Sequence, residues 1–139
     1  MSLLKYPEII EKIKDHRIKL GLSYGTLAAK TGISKSTLQR YETGYIKNLS
    51  LDNFLIIAEG LEVSPAYLMG LNENNNTDFF LEENYKTPET AVLSLLKNPL
   101  IANFIGYDIG KLTVENFDEF TKDMLRQIEL VSYKYKYFF

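Results

Sequence analysis

The chain has 139 residues, 45% of them hydrophobic and 24% charged, a mix that suits one or two small domains with a real buried core. It holds no Cys and a single His, His16, which excludes disulfides, zinc-thiolate sites, thiol catalysis and a multi-histidine metal centre. The formal net charge of −2 conceals an asymmetry: residues 1–47 carry nine Lys/Arg against four Asp/Glu (+5), and the remainder seven against fourteen (−7).

A basic first third on an acidic chain points to a polyanion partner for that third alone, or to a solvated helix surface that happens to be basic; charge does not choose between them. The N-terminus has no apolar run of signal-peptide length and no stretch could span a membrane, so a cytoplasmic protein without membrane contact is expected. No Gly-rich phosphate loop, nucleophile motif or His-based site is present, so neither enzyme activity nor a metal or cofactor is expected. Glu82-Glu83, Glu115 and Asp118-Glu119 read as solvated acidic faces.

In chain order the sequence reads as helices separated by stop signals. Pro7 suits a first helical turn, Ile9, Ile10, Ile13 and Leu20 supply an apolar stripe, and Gly21 ends that helix. His16 reads as a surface residue of it. Ser23 caps a short helix through Lys30, closed by Thr31-Gly32. Ser34 caps the next, to about Tyr41, with Thr43-Gly44 as a turn. Ser50 caps a helix bearing Leu51, Phe54, Leu55, Ala58 and Leu61, and Ser64-Pro65 opens one that stops at Gly70. The polar run NENNNTD at 72–78 reads as a linker. Three further helices follow, from Thr87-Pro88-Glu89, from Asn98-Pro99 to near Gly106, and from Thr113 to about Tyr135.

The segment Leu22 to Gly44, LSYGTLAAKTGISKSTLQRYETG, carries the functional signal. Two short helices joined at Thr31-Gly32-Ile33 turn Leu27, Ala28, Ile33 and Leu38 inward. Gly32 supplies the positive φ of the turn, and the small Ala28 permits close approach of the two helices. Lys35, Ser36, Gln39 and Arg40 are left on the outer face of the second helix. An α-helix fits the major groove, where Arg and Lys read guanine and Gln reads adenine. Tyr41 reads as core.

These residues resemble the phage Cro/repressor, or Xre-like, helix-turn-helix family over about residues 8–70. The matched positions are Leu22, Leu27, Ala28, Thr31, Gly32, Ile33, Ser34, Ser36, Thr37, Leu38, Arg40, Tyr41, Glu42 and Gly44, and LIIAEGLEVSPAYLMG is similar to the family's fourth and fifth helices. The resemblance implies an all-α fold with a five-helix lambda-repressor-like DNA-binding domain at 1–71, a linker at 72–79 and a small helical region at 80–139. It implies base reading by Lys35, Ser36, Arg40 and, more weakly matched, Gln39. Phosphate contacts fall to Ser23, Tyr24, Ser34, Tyr45 and Lys47, although Tyr24 stands where the family has Gln. Arg17 and Glu42 match a pair that forms a salt bridge in some members.

The last helix places Phe117, Phe120, Met124, Ile128 and Val131 at spacings of 3, 4, 4 and 3, close to a heptad seam. Two readings follow, a seam for a second copy of the chain or a surface packed on the chain's own N-terminal half. The homodimer is preferred, because sixty residues make a small core and a second copy would bury more. The expected function is a sequence-specific transcriptional regulator, a repressor of phage or mobile-element type on a two-fold symmetric operator. An antirepressor or RNA polymerase is a candidate protein partner. Activation, or an antitoxin or adaptor role on another protein, are the alternatives.

Overall fold

The structure, a computed structural model, describes residues 5–71, 87–106 and 108–136. The expected linker at 72–79, the acidic pair Glu82-Glu83 and residues 137–139 lie outside the described residues. The elements are α1 (Tyr6–Lys19), α2 (Tyr24–Thr31), α3 (Lys35–Thr43), α4 (Leu51–Gly60), α5 (Pro65–Leu68), α6 (Pro88–Leu96), α7 (Pro99–Ile105), a 3-10 turn η1 (Ile109–Lys111) and α8 (Val114–Lys134). No strand occurs among the described residues.

The starts of the helices follow directly from local chemistry. Ser23, Ser34, Ser50, Ser64, Thr87, Asn98 and Thr113 each sit in extended backbone, and each side chain accepts a hydrogen bond from an amide two or three residues on. Pro7, Pro65, Pro88 and Pro99 occupy first-turn positions, where a missing N–H costs nothing.

The core joins residues from both sides of the undescribed stretch 72–86. Ile9, Ile13, Leu27, Leu38, Phe54, Ile57 and Leu68 from the first five helices join Val92, Leu93, Leu96, Val114 and Phe117 in one buried cluster. α4 is its axis, touching α2, α5, η1 and α8. The expected seam on α8 therefore divides. Its buried line is Val114, Phe117 and Thr121, packed into the chain's own core. Phe120, Met124 and Leu125 are half-buried beside that line. From Arg126 onward almost every residue of α8 is exposed, Ile128 and Val131 included. A periodic apolar stripe states that a face must be covered, not by what. Phe117 is covered from within and is not available to a second copy.

Two features are long-range and were not legible locally. Gly60, on α4, lies where a Cβ would come 2.7 Å from Thr31 Cγ2 and 3.3 Å from Leu27 Cδ1. The tight helix contact is thus α2 on α4, made possible by Gly60, whereas Ala28 is only half-buried.

His16 is buried rather than on the surface, with its ring edge-on to Tyr67 at 5.1 Å and Nε2 without a hydrogen-bond partner. The 3.6-residue period puts His16 on the side of Ile9 and Ile13, but only the packing of Tyr67 from α5 shows that this turn is covered. Burial, reinforced by Lys19 and Lys12 against the opposing Asp15, lowers its pKa. The unfolded chain, with an ordinary histidine near 6.5, then takes up the proton first as pH falls. Unfolding is expected to become easier below about pH 6.5, with the loss levelling off below the folded-state pKa. Urea unfolding of wild type and His16→Phe at several pH values between about 7.5 and 5 measures it, and the pH-dependent gap between the two should open only below about 6.5.

Candidate nucleic-acid interface

The turn between α2 and α3 is fixed by side chains as well as by glycine. Gly32 adopts φ +76° and its N–H donates to Ala28 O. Thr31 Oγ1 donates to Leu27 O at 2.8 Å and accepts from Ile33 N at 3.2 Å. Ser34 Oγ accepts from Thr37 N and lies 2.7 Å from Thr37 Oγ1. Leu27 and Leu38 are buried where the two helices meet, and Ile33 packs against the same core. α3 is thereby held at one angle to α2 by contacts that leave its outer face unused.

That outer face is Lys35, Ser36, Gln39 and Arg40, all exposed. Positions 35, 36, 39 and 40 fall on one side of a helix. Tyr41, one residue on, is buried, and its hydroxyl accepts from Asn53 Nδ2 at 2.9 Å. Tyr45, 79% exposed, lies with its ring 5.5 Å from the Arg40 guanidinium. Lys47 is exposed in the same loop. Ser23 and Ser34, at the N-termini of α2 and α3, are exposed as well.

The electrostatics of this surface depend on where Glu42 goes. Between Asp15 and Asp52 it is the sole acidic residue. Its carboxylate is turned inward, onto Arg17: Nε donates to Oε2 at 2.7 Å and Nη2 to Oε1 at 3.0 Å. Arg17 Nη1 donates to Leu22 O at 2.8 Å. The two side chains are 12% and 3% exposed, and the hydrogen bond to Glu42 makes the guanidinium hold its proton more tightly. With the acid neutralised in the interior, the exposed side of α3 presents only cations and neutral hydrogen-bonding groups.

Tyr24 also joins this pair. Its ring lies 4.2 Å from the Arg17 guanidinium and its hydroxyl donates to Glu42 Oε1 at 3.3 Å. Burial, with Glu42 next in weight, pushes its pKa up. Tyr24 is thus a third member of the ion-pair cluster. A sequence motif that aligns Tyr24 with a surface Gln gives no sign of this, because the contact depends on Arg17 of α1 and Glu42 of α3.

Residues 13–68 match the family model described as Helix-turn-helix. The segment is similar to a DNA-binding helix-turn-helix. The match spans α2, α3, α4 and α5 whole and begins within α1, so the outer face of α3 and the ion-pair cluster both lie inside it. The helix-turn-helix and its flanking helices have the all-α order of a lambda-repressor-like fold, and the chain is in this general sense a DNA-binding regulator of transcription. No curated protein and no solved structure matches the chain. Among the described residues no helix is long and apolar enough to cross a membrane, and no group of His, Asp and Glu is placed to hold a metal ion.

Proposed function

We propose that the chain is a repressor, of the type that phages and mobile elements use, acting as a homodimer on a two-fold symmetric operator. The observation that carries this reading is the acid-free outer face of α3, with Lys35, Ser36, Gln39 and Arg40 exposed together and Glu42 withdrawn. Lys35 and Arg40 read base edges in the major groove, with Ser36 and Gln39 beside them. Ser23, Ser34, Tyr45 and Lys47 hold the phosphates that set the register. Occupation of an operator that overlaps a promoter represses it.

Sites selected from random DNA provide the test. Arg40→Ala is expected to cost about 1–3 kcal/mol on the selected site and much less on random DNA. Lys47→Ala is expected to weaken both about equally and to reduce the slope of log K against log salt by about one. If the two substitutions shift specific and random binding by the same ratio, base reading by α3 is wrong.

A protein partner is favoured by a separate observation. On α7, Leu100 and Phe104 are 76% and 89% exposed, one helical turn apart. Large apolar side chains this bare suit a contact with another protein. An antirepressor, RNA polymerase or a cognate toxin are the occupants to test, and co-purification of a small unrelated protein would favour the antitoxin or adaptor role.

A further inference from the structure

Two helix N-termini meet in this fold, and each supplies the backbone partner that the other lacks. The first N–H of a helix has no acceptor within its own helix. In α4 that group belongs to Leu51 and donates to Leu112 O at 2.6 Å; in α8 it belongs to Val114 and donates to Leu49 O at 2.8 Å. Ser50 and Thr113, the two N-caps, form an isolated antiparallel bridge between these bonds. Their side chains stay occupied with their own helices, accepting from Asn53 N and Asn116 N at 3.1 Å each. Leu49, Leu51 and Val114 are buried around the bridge, which shields it from water.

The strand of chain so fixed is the end of loop 44–50, which carries Tyr45 and Lys47 from α3 to α4. Its beginning is held by Ile46 N donating to Arg40 O at 3.0 Å. Its middle is held by Tyr6 Oη donating to Ile46 O at 3.2 Å. Burial, with Tyr41 and Glu115 nearby, pushes the Tyr6 pKa up to about 12, so it remains a donor at any ordinary pH. The far end is held from the C-terminal half of the chain.

We infer that Leu112–Val114 is a positioning segment of the DNA interface: it clamps the end of loop 44–50 and so keeps Tyr45 and Lys47 in reach of the DNA backbone. What the loop touches rests on the DNA-binding reading above; the clamp itself does not. The C-terminal half then does more than join two copies. A partner that drew η1 and the start of α8 away from α4 would loosen the loop and lower DNA affinity without touching α3.

Val114→Pro in the full-length chain removes one bond of the clamp and little else. Proline is accepted at the first position of a helix, and Thr113, at φ −79° and ψ 154°, already has the extended backbone that a residue before proline needs. Val114→Ala is the control, since it keeps the N–H and trims the side chain. Amide exchange in the free protein is expected to rise about 10-fold or more over residues 46–50 in Val114→Pro, and to stay near wild type there in Val114→Ala. On DNA, Val114→Pro is expected to lower affinity for random sequence roughly 3–10-fold and to reduce the salt slope by up to about one, with an unchanged sedimentation coefficient. Loop exchange that does not change overturns the inference, and so does faster exchange with DNA affinity and salt slope intact. Wild-type protein that binds no DNA would remove the DNA-binding reading, while the exchange result still decides whether the clamp holds the loop. Should Val114→Pro not fold, Leu51→Pro removes the other bond at the equivalent position of α4, where Ser50 (φ −66°, ψ 152°) is likewise extended; its loop exchange decides by the same criterion.

Discussion

Arg17→Ala is expected to lower the free energy of unfolding by about 3–5 kcal/mol, among the largest effects of any single substitution in the N-terminal half. The size follows from what is left behind rather than from the strength of the pair. Glu42 is 3% exposed, and without Arg17 its carboxylate keeps only the Tyr24 hydroxyl at 3.3 Å. A buried charge with one neutral donor must either stay ionised at high cost or take up a proton. The reverse substitution, Glu42→Ala, leaves a guanidinium that still donates to Leu22 O at 2.8 Å and faces the Tyr24 ring. It also lies closer to water, so its loss should be smaller, about 2–3 kcal/mol. Removing both partners should cost much less than the sum of the two, because no uncompensated charge remains. A double-mutant cycle on denaturant unfolding reads the coupling, expected at about 1.5–3 kcal/mol. A coupling near zero would show that the pair and its bidentate geometry contribute nothing to the fold.

The functional consequence of the pair lies on α3. Arg17 is on α1, Leu22 leads into α2 and Glu42 is near the end of α3, so one guanidinium ties together the elements that set the angle of the outer face of α3, the proposed base-reading face. The same contact hides the one acid that could otherwise face DNA. Destabilisation in Arg17→Ala should therefore be accompanied by weaker DNA binding even at temperatures where the protein stays folded.

Sequence and structure agree where the physics is local. Ser23, Ser34, Ser50, Thr87 and Thr113 announce helices because a cap acts within three residues. Gly32 announces a turn because few other residues adopt its φ. The outer face of α3 is readable from the 3.6-residue period alone. The pair Arg17–Glu42 is 25 residues apart in sequence, and only family resemblance suggested it. His16 was misjudged, and Gly60 and the internal partners of Tyr24 were missed, for one reason, that each is defined by another element packed against it. Tyr67 covers His16, Thr31 meets Gly60, and Arg17 lies against Tyr24. The bridge between Leu49–Leu51 and Leu112–Val114 has no sequence signature at all, since its donors and acceptors are backbone groups that every residue carries.

The division of α8 sharpens the expectation for assembly. Phe117 belongs to the chain's own core, so only the outer part of the helix can join two copies. Ile128, 57% exposed, and Val131, 58% exposed, are spaced three apart and share a stripe with half-buried Met124. With 1.5 Å of rise per residue, the stretch from Arg126 to Lys134 extends about 12 Å beyond the last buried turn. That is enough for a short antiparallel or parallel helix pair but not for a long coiled coil, so each apolar contact in it should count heavily. Ile128→Glu is expected to leave helix content and unfolding midpoint near wild type, because the residue is exposed, and to convert a dimer to a monomer by analytical ultracentrifugation. One five-helix unit reads only a few base pairs, whereas two joined units read half-sites about one helical turn or a multiple apart. Joining raises the effective concentration of the second unit, so the operator affinity of Ile128→Glu should fall by roughly 10²–10⁴. Binding to a single half-site should barely change, which separates loss of joining from damage to α3. A wild-type chain that sediments as a monomer, or an Ile128→Glu chain that still dimerises as tightly as wild type, would assign the bare end of α8 to a different protein.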